Sequence, residues 1–599
     1  MHKYPIVKGP RAPFFVMFAF MKKGFLSCLF LAVYSVLNGQ SAFFQKIDTL
    51  KSIYRTGGNL DTISKNMESF QASFYVAPNA TYLSPFQLYS SNGSSLNALK
   101  AKENQLIFSA LPHLGFFYGF GAQGSQRLKV DFQEAFKNHV LVNVSFDKTK
   151  GNGFLRNDAF SFQDFNARVN KSGTRYSMDL QAGKESVNRA WSNGLFSASP
   201  LEGVDLNLQA VQKDNARSTQ SLSFLRWQHR YDFNKDSLIG FGIFAKHEFL
   251  ESKRDYQEEA DLSLIYQNTY WNSDTTMDIF RERGINNDLG VFFETHHFNV
   301  QSSLNHRFRS WHDQVQYRDT MEFWLKNELS FRSGKLQLAH QDEINLFGAG
   351  NGFISTSNLR LPLAFMQAKI THRLQSILPE LMQRNYFSNN VQYQLNTLNK
   401  QRNQFIRLSL MKSLASVHLE VGYEFFEFKN AYVYDDVLGT WRNDAGPSNG
   451  IGQRFVASAS WAKKGFQIQP TYRWTHFSDG LNFQPQHHAS VHVEWKGGVF
   501  KAKKLRMLFA LDAHYLSSFQ QRQFIPQMGV FNLLQSNNAA QNGFANLCFT
   551  TALEVETFRF FVCVDNLGSF WTDPSTAFVP NYVFPSMQIK IGLSWDFWN

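Results

Sequence analysis

The histidine pairs are the first residues in this sequence whose types could do chemistry. His296-His297 and His487-His488 each place two imidazoles side by side. Neighbouring residues in a strand point to opposite faces, so neither pair is well placed to hold one metal ion. We therefore predict no metal site and no cofactor.

A second group of reactive side chains lies within one short segment. His476, Ser478 and Asp479 supply the residue types of a serine hydrolase. So tight a local cluster is more typical of a strand that ends in a loop than of a catalytic triad. The sequence also holds no Gly-rich phosphate loop, HExxH or CxxC motif. We predict that the protein is not an enzyme.

The elements that would position these residues are strands, and the chain end shows the pattern most clearly. One face of this segment is apolar and consists of Ile589, Ile591, Leu593, Trp595 and Phe597. The alternate residues Lys590, Gly592, Ser594 and Asp596 form a polar face. A strand of about ten residues with apolar groups outside and polar groups inside is the unit of a transmembrane β-barrel.

The same alternation recurs along most of the chain. Apolar residues alternate with polar ones in runs such as 127–133, 139–147, 175–181, 417–425, 488–495 and 505–512, and ionisable residues keep mostly to one face. That face would line the lumen of a barrel, because charge on the lipid face costs about 2–4 kcal/mol near midplane. The candidate lumen residues are Arg127, Lys129, Asp131, Arg175, Asp179, His492, Glu494, Arg506, Asp512 and Arg559.

The beginning of the chain indicates export. Met21-Lys22-Lys23 precedes an apolar run from Gly24 to Leu37, which small and polar residues follow. A basic start, a short apolar stretch and small residues are typical of a secretory signal peptide. We assign residues 1–41 to this signal, with Met21 as an alternative true start.

Composition favours a barrel over other classes. Mean hydropathy is −0.33 and no later segment has 18 continuous apolar residues, so a helical membrane protein is excluded. Phe alone accounts for 61 of 599 residues, and a barrel uses such rings on its lipid face and in its interfacial girdles. The net charge of +12 is dispersed and five of the basic residues lie in the signal, so we predict no nucleic-acid partner.

The alternating pattern continues along the chain without a linker, which predicts one large barrel rather than several soluble domains. Tight turns are expected at 137–138, 333–335 and 463–465, and long loops at 435–452 and 526–542. We expect an all-β, antiparallel barrel of about 14–18 strands over residues 106–599. Residues 42–105 would form a periplasmic N-terminal segment with the possible first strands, or a plug in the lumen. A soluble β-sandwich or β-solenoid, which also alternates, is the competing interpretation.

The two cysteines outside the signal allow a sharper prediction. A hairpin turning at Val555-Glu556 places Cys548 directly opposite Cys563 on the lumen side. The two thiols could form a disulfide in an oxidising envelope or stay as small packed groups. Both outcomes are open from the sequence.

Several motifs between residues 111 and 195 carry a family resemblance. They are Leu111-Pro-His-Leu-Gly-Phe-Phe-Tyr118, Val144-Ser-Phe-Asp-Lys-Thr-Lys-Gly-Asn-Gly-Phe-Leu-Arg156, Phe165-Asn-Ala-Arg168, Gly173-Thr-Arg-Tyr-Ser177 and Trp191-Ser-Asn-Gly-Leu195. This stretch resembles the putative porin family of outer-membrane proteins from Bacteroidetes-type bacteria. The resemblance implies one β-barrel over nearly the whole mature chain and assigns no substrate and no catalytic residue.

We therefore expect a porin-like channel in the outer membrane of a Gram-negative bacterium. It would pass small hydrophilic solutes by passive or weakly selective diffusion, with lumen-facing polar groups setting the selectivity. Its partners would be outer-membrane lipid and those solutes, with a homo-oligomer left open. The alternatives are a structural or assembly barrel that binds another envelope protein, and a lipid-acting barrel enzyme that uses His476 or Ser478.

Overall fold

The structure is a computed structural model that describes residues 111–598. The description leaves out 197–207, 235–238, 349–351, 396, 398, 436, 444–447, 479–484, 501–503, 522–523, 532–539, 571–579 and 583–585. The signal assigned to residues 1–41 and the segment assigned to residues 42–105 lie outside the described residues.

Twenty-two long strands form one sheet. In chain order they are β1 His113–Gly121, β2 Gln126–Phe136, β3 Val140–Gly151, β4 Phe160–Ser172, β5 Tyr176–Trp191, β6 Ala216–Asp232, β7 Ile239–Glu259, β8 Thr275–Thr295, β9 Phe298–His312, β10 Tyr317–Ser333 and β11 Leu336–Phe347. They continue as β12 Phe353–Pro362, β13 Gln367–Ile377, β14 Gln401–Leu414, β15 Val417–Lys429, β16 Gly450–Lys463, β17 Phe466–Phe477, β18 His487–Gly498, β19 Leu505–Leu516, β20 Phe544–Val555, β21 Phe558–Asp565 and β22 Gln588–Trp598.

The sheet closes on itself into a barrel. Each strand pairs antiparallel with the next, and β22 pairs with β1 so that Trp595 lies opposite Phe116. The all-β barrel predicted from the sequence is therefore confirmed. The expected strand count of 14–18 was too low, because many connections take only a few residues and leave more of the chain for strands.

The two ends of the barrel differ in the length of their connections. At one end, here called the turn end, the connections hold two to six residues, as at 334–335 and 464–465. At the other, the loop end, six long connections occur, namely 192–215, 260–274, 378–400, 430–449, 517–543 and 566–587. Positive φ angles at Lys464 and Gly465 fit a two-residue hairpin turn. Each of the three predicted turns lies within one residue of a connection at the turn end. The two predicted long loops overlap the connections 430–449 and 517–543 at the loop end.

The short elements all lie in connections. Among the described residues, three 3₁₀ turns span Lys137–His139, Leu262–Leu264 and Leu567–Phe570, and one α-helix, α1, spans Leu381–Arg384. Four small hairpins pair Asn385–Phe387 with Gln392–Gln394, Val433–Asp435 with Thr440–Arg442, Phe519–Gln520 with Ala540–Gln541, and Phe524–Ile525 with Val530–Phe531. Among the described helices, none has both the length and the hydrophobicity for a membrane span.

The wall has an apolar outer face and a polar inner face. In β22, Ile589 and Trp595 are exposed while Lys590 and Ser594 are buried, as the alternation in the sequence predicts. The exposed large hydrophobic residues of the other long strands follow the same rule. The inner face therefore bounds a polar lumen.

Aromatic rings are not confined to the outer face, contrary to the expectation for so much Phe. Phe426 points inward from β15 and is only 1% exposed. Its ring lies over Gly452 of β16, where an added Cβ would come within 1.6 Å of the ring. The same arrangement joins Phe224 to Gly183. Inward rings thus fill the space above glycines and pack the wall from inside.

Candidate functional site: the lumen and its mouth

Ion pairs across neighbouring strands line the lumen on β2 and β3. Arg127 donates two hydrogen bonds to the Asp147 carboxylate, at 3.0 Å from Nε and 2.6 Å from Nη2. Lys129 lies 2.8 Å from Asp131. These side chains neutralise one another at the inner surface, where Arg127 is buried and the other three remain partly exposed to the lumen.

Of the next two candidate lumen residues, Asp179 lies in a strand and Arg175 lies in a turn. Asp179 on β5 accepts hydrogen bonds from Arg168 on β4, at 2.9 Å and 2.7 Å, and from Asn170 at 2.8 Å. Arg175 instead lies in the connection between these strands and is exposed at the turn end. Its assignment to the lumen wall is therefore corrected, because β5 begins one residue later, at Tyr176.

A charge cluster with a buried centre joins β19, β20, β21 and β22. Arg559 donates to Glu554 at 2.8 Å and to Asp596 at 2.7 Å, and it is 3% exposed. Arg506 donates to the other oxygen of Glu554 at 2.8 Å. This cluster ties the last strands together near the closure of the barrel.

A second cluster lies on β18 and β19. The imidazole of His492 lies 2.6 Å from Asp512 and 3.8 Å from Glu494, and Lys496 lies 2.8 Å from Glu494. Nine of the ten candidate lumen residues thus belong to ion pairs on the inner face, with Arg175 as the exception.

The two cysteines share the inner face but are not directly opposite each other. The hairpin turns at 556–557, so Cys563 lies opposite Thr550, and the predicted register is wrong by two residues. Glu556 takes a positive φ there, which moves the turn one residue along the chain. Cys548 and Cys563 are buried diagonal neighbours, and their thiols are hydrogen-bonded with Sγ atoms 3.2 Å apart but do not form a disulfide.

Three long loops fold inward at the loop end and form an aromatic cluster. Loop 378–400 contributes Tyr386 and Tyr393, loop 430–449 contributes Tyr434 and Trp441, and loop 517–543 contributes Met528. All five are at most 6% exposed. They pack against the inward-facing Phe280 of β8 and Trp311 of β9. The mouth is therefore narrowed by protein on the side of these strands.

Loop 517–543 crosses the mouth from one side of the barrel to the other. It leaves β19 and returns to β20, yet its residues contact β7, which is about half a circumference away. Arg254 of β7 donates one hydrogen bond to the carbonyl of Pro526 at 2.7 Å and another to that of Met528. Phe524 also packs on Trp191 at the end of β5, with ring centroids 4.8 Å apart.

Polar contacts connect the loops to one another. The Asn389 Oδ1 atom accepts from the backbone N–H groups of Trp271 and Asn272, at 2.9 Å and 3.0 Å. Trp441 Nε1 donates to the hydroxyl of Tyr393 at 3.0 Å. Hydrogen bonds that replace solvent at these three loops, 260–274, 378–400 and 430–449, give the mouth a defined shape.

A cavity of about 330 Å³ opens among these loops. Its lining combines amide, hydroxyl and aromatic groups, including Asn193, Tyr266, Asn390, Tyr434 and Phe524. Such a lining suits a small hydrophilic solute, because amides and hydroxyls both donate and accept hydrogen bonds.

A buried charge network holds one side of this cavity. Lys213 donates to Glu258 and also to the Tyr266 hydroxyl, and Tyr266 in turn donates to Glu258 at 2.5 Å. Burial lowers the pKa of Lys213, and the neighbouring Glu258 carboxylate opposes this shift. The pKa of Tyr266 is raised well above its usual value, mainly by burial and secondly by the charge of Glu258. The tyrosine therefore stays a hydroxyl donor at neutral pH.

The histidine and serine candidates lie apart from this cavity. His297, in the connection between β8 and β9, lies with Nδ1 2.9 Å from the carbonyl of Arg332. His487 contacts the Tyr472 hydroxyl, and its neighbour His488 contacts Arg473.

His476 and Ser478 lie at the loop-end terminus of β17. His476 stacks on Trp474, and the Ser478 hydroxyl accepts from the backbone N–H of Ile451 at 3.0 Å. Asp479 lies outside the described residues. Within the described part of the chain, no group of three or more His, Cys, Asp or Glu side chains could hold a metal ion.

The residues that shape the mouth were missed by sequence reasoning. Arg254 lies in an ordinary alternating strand, and nothing in the chain around it points to loop 517–543. The one available signal was the density of Tyr and Trp within polar loops, as at 385–394, which is also rich in Asn and Gln, and at 432–441.

Comparisons with known proteins agree with this architecture. Residues 36–599 match the model of a family described as "Putative porin". The FrpB iron transporter from Neisseria meningitidis (F5-1 variant) is similar in structure, with a TM-score of 0.60, 11% identity, and coverage of 82% of this chain and 83% of that one.

Two further solved structures are similar. The siderophore receptor PirA from Acinetobacter baumannii gives a TM-score of 0.58 at 10% identity, over 82% of this chain and 81% of that one. The copper transporter OprC gives 0.58 at 9% identity, over 81% and 80%. At these identities the likeness shows the fold alone. No curated protein matches the sequence.

Proposed function

Because the chain belongs to the "Putative porin" family, we propose that it is an outer-membrane channel that admits small hydrophilic solutes selectively through a narrowed mouth. In the membrane, the turn end would face the periplasm and the loop end would face the outside of the cell, as in other barrels whose periplasmic turns are short. The apolar outer face contacts lipid.

The observation that supports this proposal is a polar, charge-paired lumen beneath a mouth that loop 517–543 crosses. The paired wall offers water and solutes a continuous polar surface. A 22-stranded barrel would otherwise leave a wide lumen, so the folded loops decide what enters. Passage is therefore selective by size and hydrogen bonding rather than simple diffusion through an open pore.

The charge pattern sets an expectation for ions. Since Arg127, Arg559 and Asp179 are each neutralised by a neighbour, the lumen presents little net charge to a passing ion. We expect cations and anions to pass at similar rates. Solute preference then comes from the amide and hydroxyl groups of the 330 Å³ cavity at the mouth.

Reconstitution of the purified chain tests the proposal. In planar bilayers we expect small, discrete conductance steps and a zero-current potential near zero under a salt gradient. In liposome swelling we expect a monosaccharide to enter much faster than a trisaccharide. Absence of conductance and swelling for folded protein would contradict a channel.

A structural or assembly role is the second candidate, and one observation favours it. The loops at the mouth are packed together, with Asn389, Tyr393 and Trp441 buried or half-buried in shared contacts. A barrel whose loops serve to bind another envelope protein would have such an ordered mouth. It would also be silent in both assays, so the same experiment separates the two functions.

A further inference from the structure

The outer wall carries a set of polar side chains in the middle of its apolar face. Here they are called the polar patch, and they consist of Ser302, Asn327, His340, Asp342, Ser357 and His372. These residues lie on β9 to β13. Four of the links between them are direct cross-strand pairs, from Ser302 to Asn327, Asn327 to Asp342, His340 to Ser357 and Ser357 to His372.

Strand alternation shows that the patch faces outward. On β11 it shares its face with Ile344, which is 44% exposed, whereas Asn345 on the other face is 5% exposed. On β9 it shares its face with Leu304, which is 48% exposed, whereas Asn305 is completely buried. The patch therefore points away from the lumen.

Apolar residues enclose the patch along each strand. Leu325 and Leu329 flank Asn327 on the outer face of β10, and Leu338 and Ile344 flank the pair on β11. Ser302 on β9 and His372 on β13 are flanked in the same way, and on β12 Phe353 and Leu359 enclose Ser357 together with its polar neighbour Ser355. The patch consequently lies within the apolar band and not at its edges, where polar groups reach water.

The patch is partly satisfied by its own hydrogen bonds. Ser302 donates to Asn327 at 2.8 Å, Asn327 donates to Asp342 at 3.1 Å, and His340 Nδ1 lies 2.8 Å from the Ser357 hydroxyl. His340 Nε2 also lies 3.7 Å from Asp342 Oδ1 of the same strand, and the two side chains stay 38% and 22% exposed. An exposed carboxylate and imidazole inside the acyl layer are costly, because lipid offers them no partners.

A second row of polar residues extends the patch toward the loop end. His247 Nδ1 lies 2.9 Å from Asn287 Oδ1, and Asn287 Nδ2 lies 3.4 Å from His306 Nδ1. The wall about a quarter of the circumference away, on β15, β16 and β18, differs, since its outward positions Val421, Ala457 and Val491 are apolar. The outer wall is thus polar over β9 to β13 and apolar over β15 to β18.

We propose that the polar patch is the contact surface between two copies of this chain in the membrane. The patch carries both hydrogen-bond donors and acceptors and both imidazole and carboxylate groups, so it is complementary to itself. A two-fold axis through β11 and β12 would place His340 of one copy against Asp342 of the other. The proposal rests on membrane placement of the barrel but not on its conducting solutes.

Cysteine cross-linking in lipid tests the contact. In a background with Cys548→Ala and Cys563→Ala, Ser357→Cys is expected to give a covalent dimer in vesicles of purified protein. Ala457→Cys lies at a comparable height on the apolar side and is the matched control. Equal cross-linking at the two positions would overturn the proposal, as would cross-links in native membranes only to a different protein.

Removal of the polar groups gives the second arm. We expect the double variant His340→Leu and Asp342→Leu to lower the dimer fraction, measured by single-molecule photobleaching, at least tenfold. The barrel should stay folded, which is checked by the change of its gel mobility on heating. Thr551→Leu makes a similar change on the outer face of β20 and should leave the dimer fraction unchanged. An unchanged fraction in the double variant would overturn the proposal even if the channel conducts.

Discussion

Substitution of Arg254 by Met should release loop 517–543 from the far wall. The guanidinium donates to two loop carbonyls, those of Pro526 and Met528, and lies over Gly529, whose absent side chain leaves room for it. A hydrogen bond to a charged group contributes about 1.5–3 kcal/mol, so loss of both removes about 3–6 kcal/mol from the docked state. At about 1.4 kcal/mol per tenfold, the ratio of docked to released loop should fall at least about 100-fold.

Single-channel recording measures this change. Wild-type protein should stay mostly in its small-conductance state, and Arg254→Met should open frequently to a larger one. Arg168→Met, which removes a lumen arginine that donates to Asp179, is the control for lost charge. The reasoning is refuted if Arg254→Met leaves the conductance and its fluctuations unchanged, or if Arg168→Met has the same effect.

Three further perturbations follow from single sites. Burial raises the pKa of Asp158 to about 7 against the opposing charge of Arg189, while the unfolded value is 3.8. As pH rises, the unfolded chain releases this proton at a lower pH than the folded protein does, so stability falls between about pH 4 and about pH 7. Asp158→Asn should remove that part of the pH dependence of thermal unfolding. Arg559→Met should cost about 3–5 kcal/mol in urea unfolding from vesicles, because it removes the buried cation that bridges the carboxylates of Glu554 and Asp596; a loss under about 1 kcal/mol would show that the cluster is dispensable. Mild oxidation should join Cys548 to Cys563, seen as a 2 Da mass loss that Cys548→Ala abolishes, and an unchanged mass would favour two packed thiols.

Much of the wall could be predicted from the sequence, because a strand in a barrel is a local object. Ile589, Trp595 and Lys590 take the faces that their alternation predicts, since side chains alternate whatever the neighbouring strand is. The turn at 464–465 is equally local, because two residues with positive φ join the strands.

Strand register, strand number and strand boundaries were harder to predict from the sequence, because they depend on which strands and turn residues pair. The register of Cys563 against Thr550 depends on which residues form the turn, and a shift of one turn residue moved the pairing by two. The strand count had the same weakness, because it was inferred from average strand and turn lengths. Arg175 was misplaced because the sequence does not mark where β5 begins.

The sequence by itself determined the type of wall, with apolar groups outside and ion-pairing groups inside, because that information repeats every two residues. Only the tertiary structure decided what lies across the mouth and which side of the wall is polar. Arg254 and Pro526 are more than 250 residues apart in the chain, and the polar patch combines one or two residues from each of five strands. Each of those residues is ordinary in its own strand, and the barrel closure and register alone bring them together.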